Sequence, residues 1–137
     1  ILTLLMMWYK YLPGIQIIFL PAFLLLAILI SLGIGYFISA LNVKFRDFRY
    51  VIPFVVQFGL YISPVGFSSE LIPSQWRLWY YLNPMSGVID GFRWSIFGGQ
   101  AELFIPGLIL SVAVTLILFI LGTNFFIKTE RKFADII

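Results

Sequence analysis

The chain has 137 residues, of which 61% are hydrophobic, 19% aromatic and only 11% charged, with a net charge of +3. Soluble globular domains average about 45–50% apolar and about 25% charged residues, so this composition argues for a protein whose solvent is a bilayer. The chain contains neither cysteine nor histidine, which excludes disulfides, thiol chemistry and Cys/His zinc sites, and its scattered basic residues form no basic face for nucleic acid.

The first two apolar stretches lie on either side of a polar break at residues 10–14. Residues 1–9 have no basic region before them, so they predict the end of a membrane helix in a chain fragment rather than a signal peptide. No charged residue occurs over residues 15–43. Because about 20 helical residues cross a hydrocarbon core of about 30 Å, residues 15–41 are predicted to span it.

Two further uncharged runs predict two more spans. Residues 50–69 form the second, with prolines near both ends, and residues 103–127 form the third. Lysine and arginine concentrate between the first two spans and in the tail at residues 128–137, and the positive-inside rule places both clusters in the cytoplasm. The three crossings then leave the C-terminus cytoplasmic.

Small residues recur every four positions in the first span and therefore stack on one helix face. Such a stripe predicts a tight contact with a neighbouring helix or a second copy of the chain, although chance composition would give the same pattern. The stripe consists of Ala27, Ser31, Gly35 and Ser39, and the third span repeats it with Gly107, Ser111 and Thr115.

The segment between the second and third spans is too polar for a span and too apolar for an ordinary loop. Residues 73–74 and 83–84 carry helix-start signals, and residues 98–99 carry a helix-stop signal. Two helices of about 15 Å each cannot cross the bilayer, so we expect a re-entrant pair beside a pathway, with helices lying on the outer surface as the alternative. Asp90 and Arg93 are three residues apart and can form an ion pair there.

The available chemistry points to transport rather than catalysis. The predicted spans contain no ionisable residue in their interiors, so no proton or ion relay is visible. The chain also lacks a phosphate-binding loop and any nucleophile with a general base. A pathway without its own energy source is either passive or driven by a partner.

Four stretches of the sequence together resemble one family, the ABC-2 type permeases of polysaccharide exporters, which move O-antigen, capsule or teichoic acid polymers. These stretches, in order, are residues 40–50 (ALNVKFRDFRY), 82–85 (LNPM), 87–93 (GVIDGFR) and 130–137 (ERKFADII). The resemblance covers essentially the whole chain in the order and spacing of the family.

The resemblance implies an all-α integral membrane subunit of the inner membrane of a bacterium. It implies a dimer of six-span permeases that exports a lipid-linked polysaccharide. The dimer would be driven by two ABC ATPase subunits, which bind ATP and Mg. This chain itself would bind no cofactor and no metal. The chain would be roughly the C-terminal half of the permease, with three full spans and the end of a fourth. The family's external gate helices correspond to residues 73–97.

The resemblance and the residue chemistry together give candidate functional residues. A polymer path should hold its cargo weakly at many places, and aromatic faces do this without fixed charge. The candidates for the path or gate are Tyr36, Phe37, Phe54, Phe58, Tyr61, Trp76, Trp79, Tyr80 and Phe92, although most aromatic residues of such a chain face lipid or other helices. The candidates for an ion pair at the gate are Asp90 and Arg93. The candidates for an ATPase-facing loop are Asn42, Lys44, Arg46, Asp47 and Arg49, for which a plain anchoring role is the alternative.

Two other functions remain open on the sequence alone. A drug or lipid exporter of the wider ABC-2 group would share the fold but carry a different cargo. A membrane scaffold that only recruits partners would transport nothing. The aromatic outer segment and the motif at residues 42–50 favour the polysaccharide exporter over both.

Overall fold

The computed structural model describes residues 6, 8–10, 14–67, 69–99 and 101–134, without the side chains of residues 46, 70 and 132–134. Every regular element in these ranges is helical. The predicted end of a span at residues 1–9 falls largely outside the described residues, and so do the last three residues of the predicted tail.

Five α-helices and three 3₁₀ turns make up the described structure. In chain order they are the 3₁₀ turn Ile15–Phe19, helix α1 (Leu20–Lys44), the 3₁₀ turn Arg46–Tyr50, α2 (Ile52–Ile62), the 3₁₀ turn Ser69–Leu71, α3 (Ser74–Tyr80), α4 (Pro84–Ile96) and α5 (Ile105–Ala134). The predicted all-α class is thus confirmed for the described residues.

Two helical stretches are long and apolar enough to cross a bilayer. The first runs over Ile15–Lys44 with 30 residues, and the second over Ile105–Arg131 with 27 residues. Large apolar side chains such as Ile109, Ile117 and Ile120 are exposed on α5, which is the arrangement expected when lipid is the solvent. These two stretches correspond to the first and third predicted spans.

The second predicted span, at residues 50–69, is not confirmed as one continuous helix. Helix α2 has 11 residues, which is a length of about 16 Å and about half of a hydrocarbon core. It ends at Ser63, whose backbone is extended (φ −83°, ψ 143°). The reason is Pro64, because a proline disfavours helical backbone in the residue before it. Pro53, in contrast, lies in the first turn of α2, where proline is tolerated.

Helices α1 and α5 pack side by side and run in the same direction. The rings of Tyr36 and Phe126 are 5.5 Å apart, and those of Phe37 and Phe125 are 5.0 Å apart. Closer to the N-termini, Gly33 lies against the backbone of residues 118–122. Later residues of α1 therefore face later residues of α5, and the basic residues at the two C-terminal ends lie at the same end of the pair.

The closest approach of α1 and α5 is at Gly33. A Cβ atom added there would be 2.9 Å from the backbone N and Cα of Phe119, and a Cβ atom on Gly122 would be 3.0 Å from the carbonyl carbon of Gly33. Neither position has room for a side chain without moving a helix. Glycines at helix crossings let backbones pack by van der Waals contact in lipid.

The small-residue stripe predicted in the first span does not make this contact. Ser31 and Ser39 are exposed, Gly35 has no neighbour within 4 Å of an added Cβ atom, and Ala27 is half-buried beside the core. The close contact is made by Gly33 instead, because the rotation of α1 about its own axis decides which of its small residues faces α5. A contact of the stripe with a second copy stays a prediction.

The corresponding stripe of the third span does pack inside the chain. Ser111 and Thr115 are fully buried, and Gly107 is buried under the ring of Tyr81. The side chain of Ser111 lies against Gly87 of α4, where no Cβ atom would fit. The predicted use of these three residues as a contact face is therefore confirmed.

Helix α4 lies in the groove between the N-terminal halves of α1 and α5. Val88 packs with Leu26 and Ile30 of α1, and one turn later the rings of Phe92 and Phe23 are 6.5 Å apart. Later residues of α4 therefore contact earlier residues of α1, so the two helices are antiparallel. Ile30 is near the middle of the apolar stretch Ile15–Lys44, and α4 therefore begins close to the midpoint of that stretch.

Candidate functional site

The hairpin formed by α3 and α4 is the candidate site, and its turn is built from local signals. The side chain of Asn83 accepts a hydrogen bond from the backbone N–H of Met85 (3.1 Å), and Pro84 occupies the first helical position. At the other end, Gly98 and Gly99 adopt positive φ angles of 59° and 82°, which glycine adopts without strain. The predicted Asn83 cap is confirmed.

A buried carboxylate lies on the inner side of the hairpin. Asp90 is 4% exposed and accepts a hydrogen bond from the hydroxyl of Tyr81 (2.6 Å). Its other oxygen is 3.5 Å from a guanidinium nitrogen of Arg93, so the predicted ion pair is present.

Arg93 has a second set of partners outside the hairpin. Its Nη2 atom donates to the carbonyl oxygens of Pro64 (2.5 Å) and Val65 (3.3 Å), directly after α2 ends. Beside them, Asn83 Nδ2 donates to Ser63 Oγ (3.0 Å). The sequence did not indicate these bonds, because the partners are 20 to 29 residues apart; the only signal was an arginine in an apolar segment.

The outer end of the hairpin is held by a different arginine. Arg77 of α3 makes two hydrogen bonds to one carboxylate oxygen of Glu102 (3.1 and 3.2 Å), and its guanidinium lies over the ring of Phe104 at 4.7 Å from the centroid. Both partners are at the start of α5. These contacts fix α3 beside the beginning of the second long apolar stretch.

Ser111 fixes the turn of the hairpin to α5. Its hydroxyl donates to the backbone carbonyl of Tyr81 (3.1 Å), and the Tyr81 ring is 5.5 Å from that of Phe104. A fully buried hydroxyl needs such a partner, because leaving it unpaired costs about 1–3 kcal/mol. The hairpin is thus held to α5 at both ends of α3.

Six of the nine candidate path residues are exposed, and one of them, Phe37, also contacts α5. Phe54, Phe58 and Tyr61 recur at helical spacing along α2, and Trp76 and Trp79 are 60% and 68% exposed on α3. These last five residues form two separate aromatic surfaces, one on α2 and one on α3.

Phe37 and the three candidate path residues that are half-buried are engaged in packing. Tyr36 and Phe37 contact α5, as described above. Phe92 is packed against the core cluster on α1, and the ring of Tyr80 is 6.0 Å from that of Phe67. Their first role in the described structure is therefore to hold helices together.

The candidate ATPase-facing residues surround the C-terminal end of α1. Lys44, Asp47 and Arg49 are exposed, with Lys44 over the ring of Phe45 (5.1 Å) and Arg49 over that of the following tyrosine (5.6 Å). Asn42 is half-buried, and its side-chain oxygen is buried without a hydrogen-bond partner. The side chain of Arg46 is outside the described part of the chain.

These features define an all-helical membrane protein in which two parallel apolar helices enclose a short helical hairpin. The ABC-2 type transporter family matches residues 1–97, and the chain belongs to this family. The resemblance drawn from the sequence motifs is thereby confirmed at the level of the family.

Curated relatives carry a more specific name. The O-antigen export system permease protein RfbA of Klebsiella pneumoniae is 24% identical over 116 residues, which cover 80% of this chain and 42% of that protein. The protein of the same name from Myxococcus xanthus is 24% identical over 131 residues, covering 94% of this chain and 50% of that protein. The chain spans about half the length of the curated relatives it matches. No solved structure matches the chain.

Proposed function

We propose that the chain forms part of the membrane permease subunit of an ATP-driven exporter that moves a lipid-linked polysaccharide of the O-antigen type out of the cytoplasm. The observation that carries this proposal is the match to two O-antigen export permeases over 80% and 94% of the chain. The permease works as a homodimer in the inner membrane, and an ABC ATPase subunit that binds ATP and Mg drives it. No group on this chain performs catalysis.

The parallel packing of α1 and α5 supports a cytoplasmic C-terminus. Because the two helices run in the same direction, the exposed Lys44 and Arg49 lie at the same end of the pair as Lys128 and Arg131. The positive-inside rule places that end in the cytoplasm. The loop at residues 42–49 then faces the ATPase.

The position of α4 supports a re-entrant hairpin over helices that lie flat on the membrane. Helix α4 packs lengthwise along α1 and α5 and begins near the midpoint of the apolar stretch Ile15–Lys44. Helix α2 begins at the cytoplasmic end and ends at Ser63, which bonds to the turn of the hairpin. The second predicted crossing is therefore a broken one, with α2 in the inner half of the membrane and the hairpin in the outer half.

The exposed aromatic surfaces are the groups that a polysaccharide would contact. The faces of sugar rings pack on aromatic rings, and a series of uncharged contacts holds a polymer without fixing it in one place. Trp76 and Trp79 are exposed along α3, which belongs to the outer half of the membrane in this arrangement. We therefore assign them to the exit of the path.

The test uses the full-length permease reconstituted with its ATPase in vesicles. The double variant Trp76→Ala/Trp79→Ala is compared with wild type for polymer transported with and without ATP. Export is expected to fall while ATPase binding is retained, because both side chains are exposed and hold no other element in place.

A matched control removes exposed apolar side chains elsewhere. Ile117→Ala/Ile120→Ala truncates two side chains of α5 that are exposed to a similar degree and is expected to leave export unchanged. Normal export by the tryptophan double variant would make the two rings membrane anchors. An absence of ATP-dependent polymer movement in wild type would favour a drug or lipid cargo instead.

A further inference from the structure

Helix α2 is attached to the rest of the described structure mainly at its two ends. Residues 53–62 are all exposed, and none of α2 is buried. At its start it packs against the 3₁₀ turn Arg46–Tyr50, and along its length it makes at most marginal contact with the other described helices. A force applied to α2 therefore passes through the contacts at its ends.

The attachment at the C-terminal end of α2 is polar and buried. Ser63 and Pro64 are buried although the helix before them is exposed. Arg93 donates to the carbonyl oxygens of Pro64 and Val65, and Asn83 donates to Ser63. Non-helical backbone at membrane depth needs partners from protein or water, and Arg93 supplies them here.

The guanidinium of Arg93 is held in place from the other side. Nη1 is 3.5 Å from Asp90, which in turn accepts a hydrogen bond from Tyr81. Tyr81 and Asp90 both belong to the hairpin, so the arginine is oriented by the hairpin and reaches out to α2. A planar guanidinium can donate hydrogen bonds from two terminal nitrogens, one towards Asp90 and one towards the backbone carbonyls after α2. The ammonium group of a lysine has only one nitrogen.

We propose that Arg93 is a positioning residue that couples α2 to the hairpin, so that a displacement of the cytoplasmic turn Arg46–Tyr50 is carried along α2 and moves α4. The inference rests on the proposed function, because the displacement is the one that an ATPase at the 42–49 loop would produce. In this arrangement α2 moves as one rigid helix, with its N-terminal end at the ATPase and its C-terminal end attached to the hairpin of α3 and α4.

The first measurement concerns the attachment itself and needs no substrate. Nitroxide labels on cysteines introduced at the exposed positions Leu60 of α2 and Phe97 at the end of α4 report the distance between the two elements in the full-length permease–ATPase complex. This chain has no cysteine of its own. A narrow distance distribution is expected with Arg93, and a broad one with Arg93→Met.

The second measurement is the amount of polymer exported per ATP hydrolysed. Arg93→Met is expected to retain ATP hydrolysis and to lower this ratio about 10- to 100-fold, the factor that corresponds to losing one or two hydrogen bonds of a charged group. Arg93→Lys keeps the charge but cannot reach Asp90 and both carbonyls together, so it restores the ratio only in part. Arg77→Met removes the other arginine of the hairpin, whose partner is Glu102 and not the backbone after α2, and is expected to leave the label distance unchanged.

Three results would overturn the coupling role. The first is a narrow distribution of label distances in Arg93→Met. The second is a broad distribution in Arg93→Met with an unchanged amount of polymer exported per ATP hydrolysed. The third is an equal effect of Arg77→Met on the label distance. If Arg93→Met fails to assemble, Arg93→Lys takes its place, and a wild-type ratio in that variant rejects the proposal. An absence of polymer export in wild type refutes the proposed function, while the label distance still decides whether Arg93 holds α2.

Discussion

Replacement of Gly33 by alanine is expected to weaken the contact between α1 and α5. The added Cβ atom would be 2.9 Å from two backbone atoms of Phe119, whereas carbon atoms in ordinary contact are about 3.5–4.0 Å apart. Backbone atoms cannot rotate away like a flexible side chain, so the two helices must separate by about 0.6–1.1 Å at this point. The cost of such overpacking is about 1–3 kcal/mol of unfolding free energy.

Gly35 provides the matched control on the same helix. An added Cβ atom at Gly35 has no neighbour within 4 Å. Alanine is favoured over glycine inside a helix by about 0.8–1 kcal/mol, so Gly35→Ala is expected to be neutral or slightly stabilising. The opposite effects of the same substitution two positions apart are the signature of the close crossing.

The assay is unfolding of the purified full-length permease by SDS titration, followed by tryptophan fluorescence. Gly33→Ala should shift the transition to lower SDS, and Gly122→Ala should do the same, because its Cβ atom would be 3.0 Å from the carbonyl carbon of Gly33. Equal stability of Gly33→Ala and Gly35→Ala would refute the crossing at Gly33.

Three further predictions concern the hairpin. Ser111→Ala should lower the unfolding free energy by about 1–3 kcal/mol, because the Tyr81 carbonyl loses its buried donor. A double-mutant cycle on Arg77 and Glu102 should give a coupling below about 1 kcal/mol, because Glu102 is 64% exposed. Tyr81→Phe should also lower the unfolding free energy by about 1–3 kcal/mol, because the buried Asp90 carboxylate loses a hydrogen-bond donor.

Each of these predictions has a result that contradicts it. For Ser111, a control is Ser31→Ala, since that exposed hydroxyl only bonds back to Ala27 of its own helix (2.9 Å) and its loss should change little. A strong coupling between Arg77 and Glu102 would mean that the pair is shielded from solvent. Equal stability of wild type and Tyr81→Phe would mean that the hydroxyl of Tyr81 does not stabilise the buried Asp90 carboxylate.

The features that depend on neighbouring residues were predictable from the sequence. The two long uncharged runs predicted spans at residues 15–41 and 103–127, and the structure has candidate spans at Ile15–Lys44 and Ile105–Arg131, because a helix in lipid needs only length and apolar side chains. The Asn83 cap and the pair of Asp90 with Arg93 followed from spacings of two and three residues within one helix. Their atoms are brought together by the helix itself.

The features that depend on the position of one helix relative to another were missed or misplaced. The stripe that includes Gly35 was predicted to pack, but the described contact with α5 uses Gly33, two positions away. The sequence contains no information about the rotation of α1 about its axis until the partner helix is in place. The bonds from Arg93 to Pro64 and Val65 were missed for the same reason.

The sequence by itself determined that this chain is a helical membrane protein of the ABC-2 kind, and where its two long apolar helices and the turn of the hairpin lie. Composition, uncharged runs, proline and the Asn83 cap act locally, and each has the same effect whatever surrounds it. The three predicted crossings already give the first and third spans the same direction. Only the tertiary structure decided that α1 and α5 pack side by side, that they cross at Gly33, and that Arg93 ties the end of α2 to the hairpin. These are contacts between distant parts of the chain, and they exist only when several helices are packed at once.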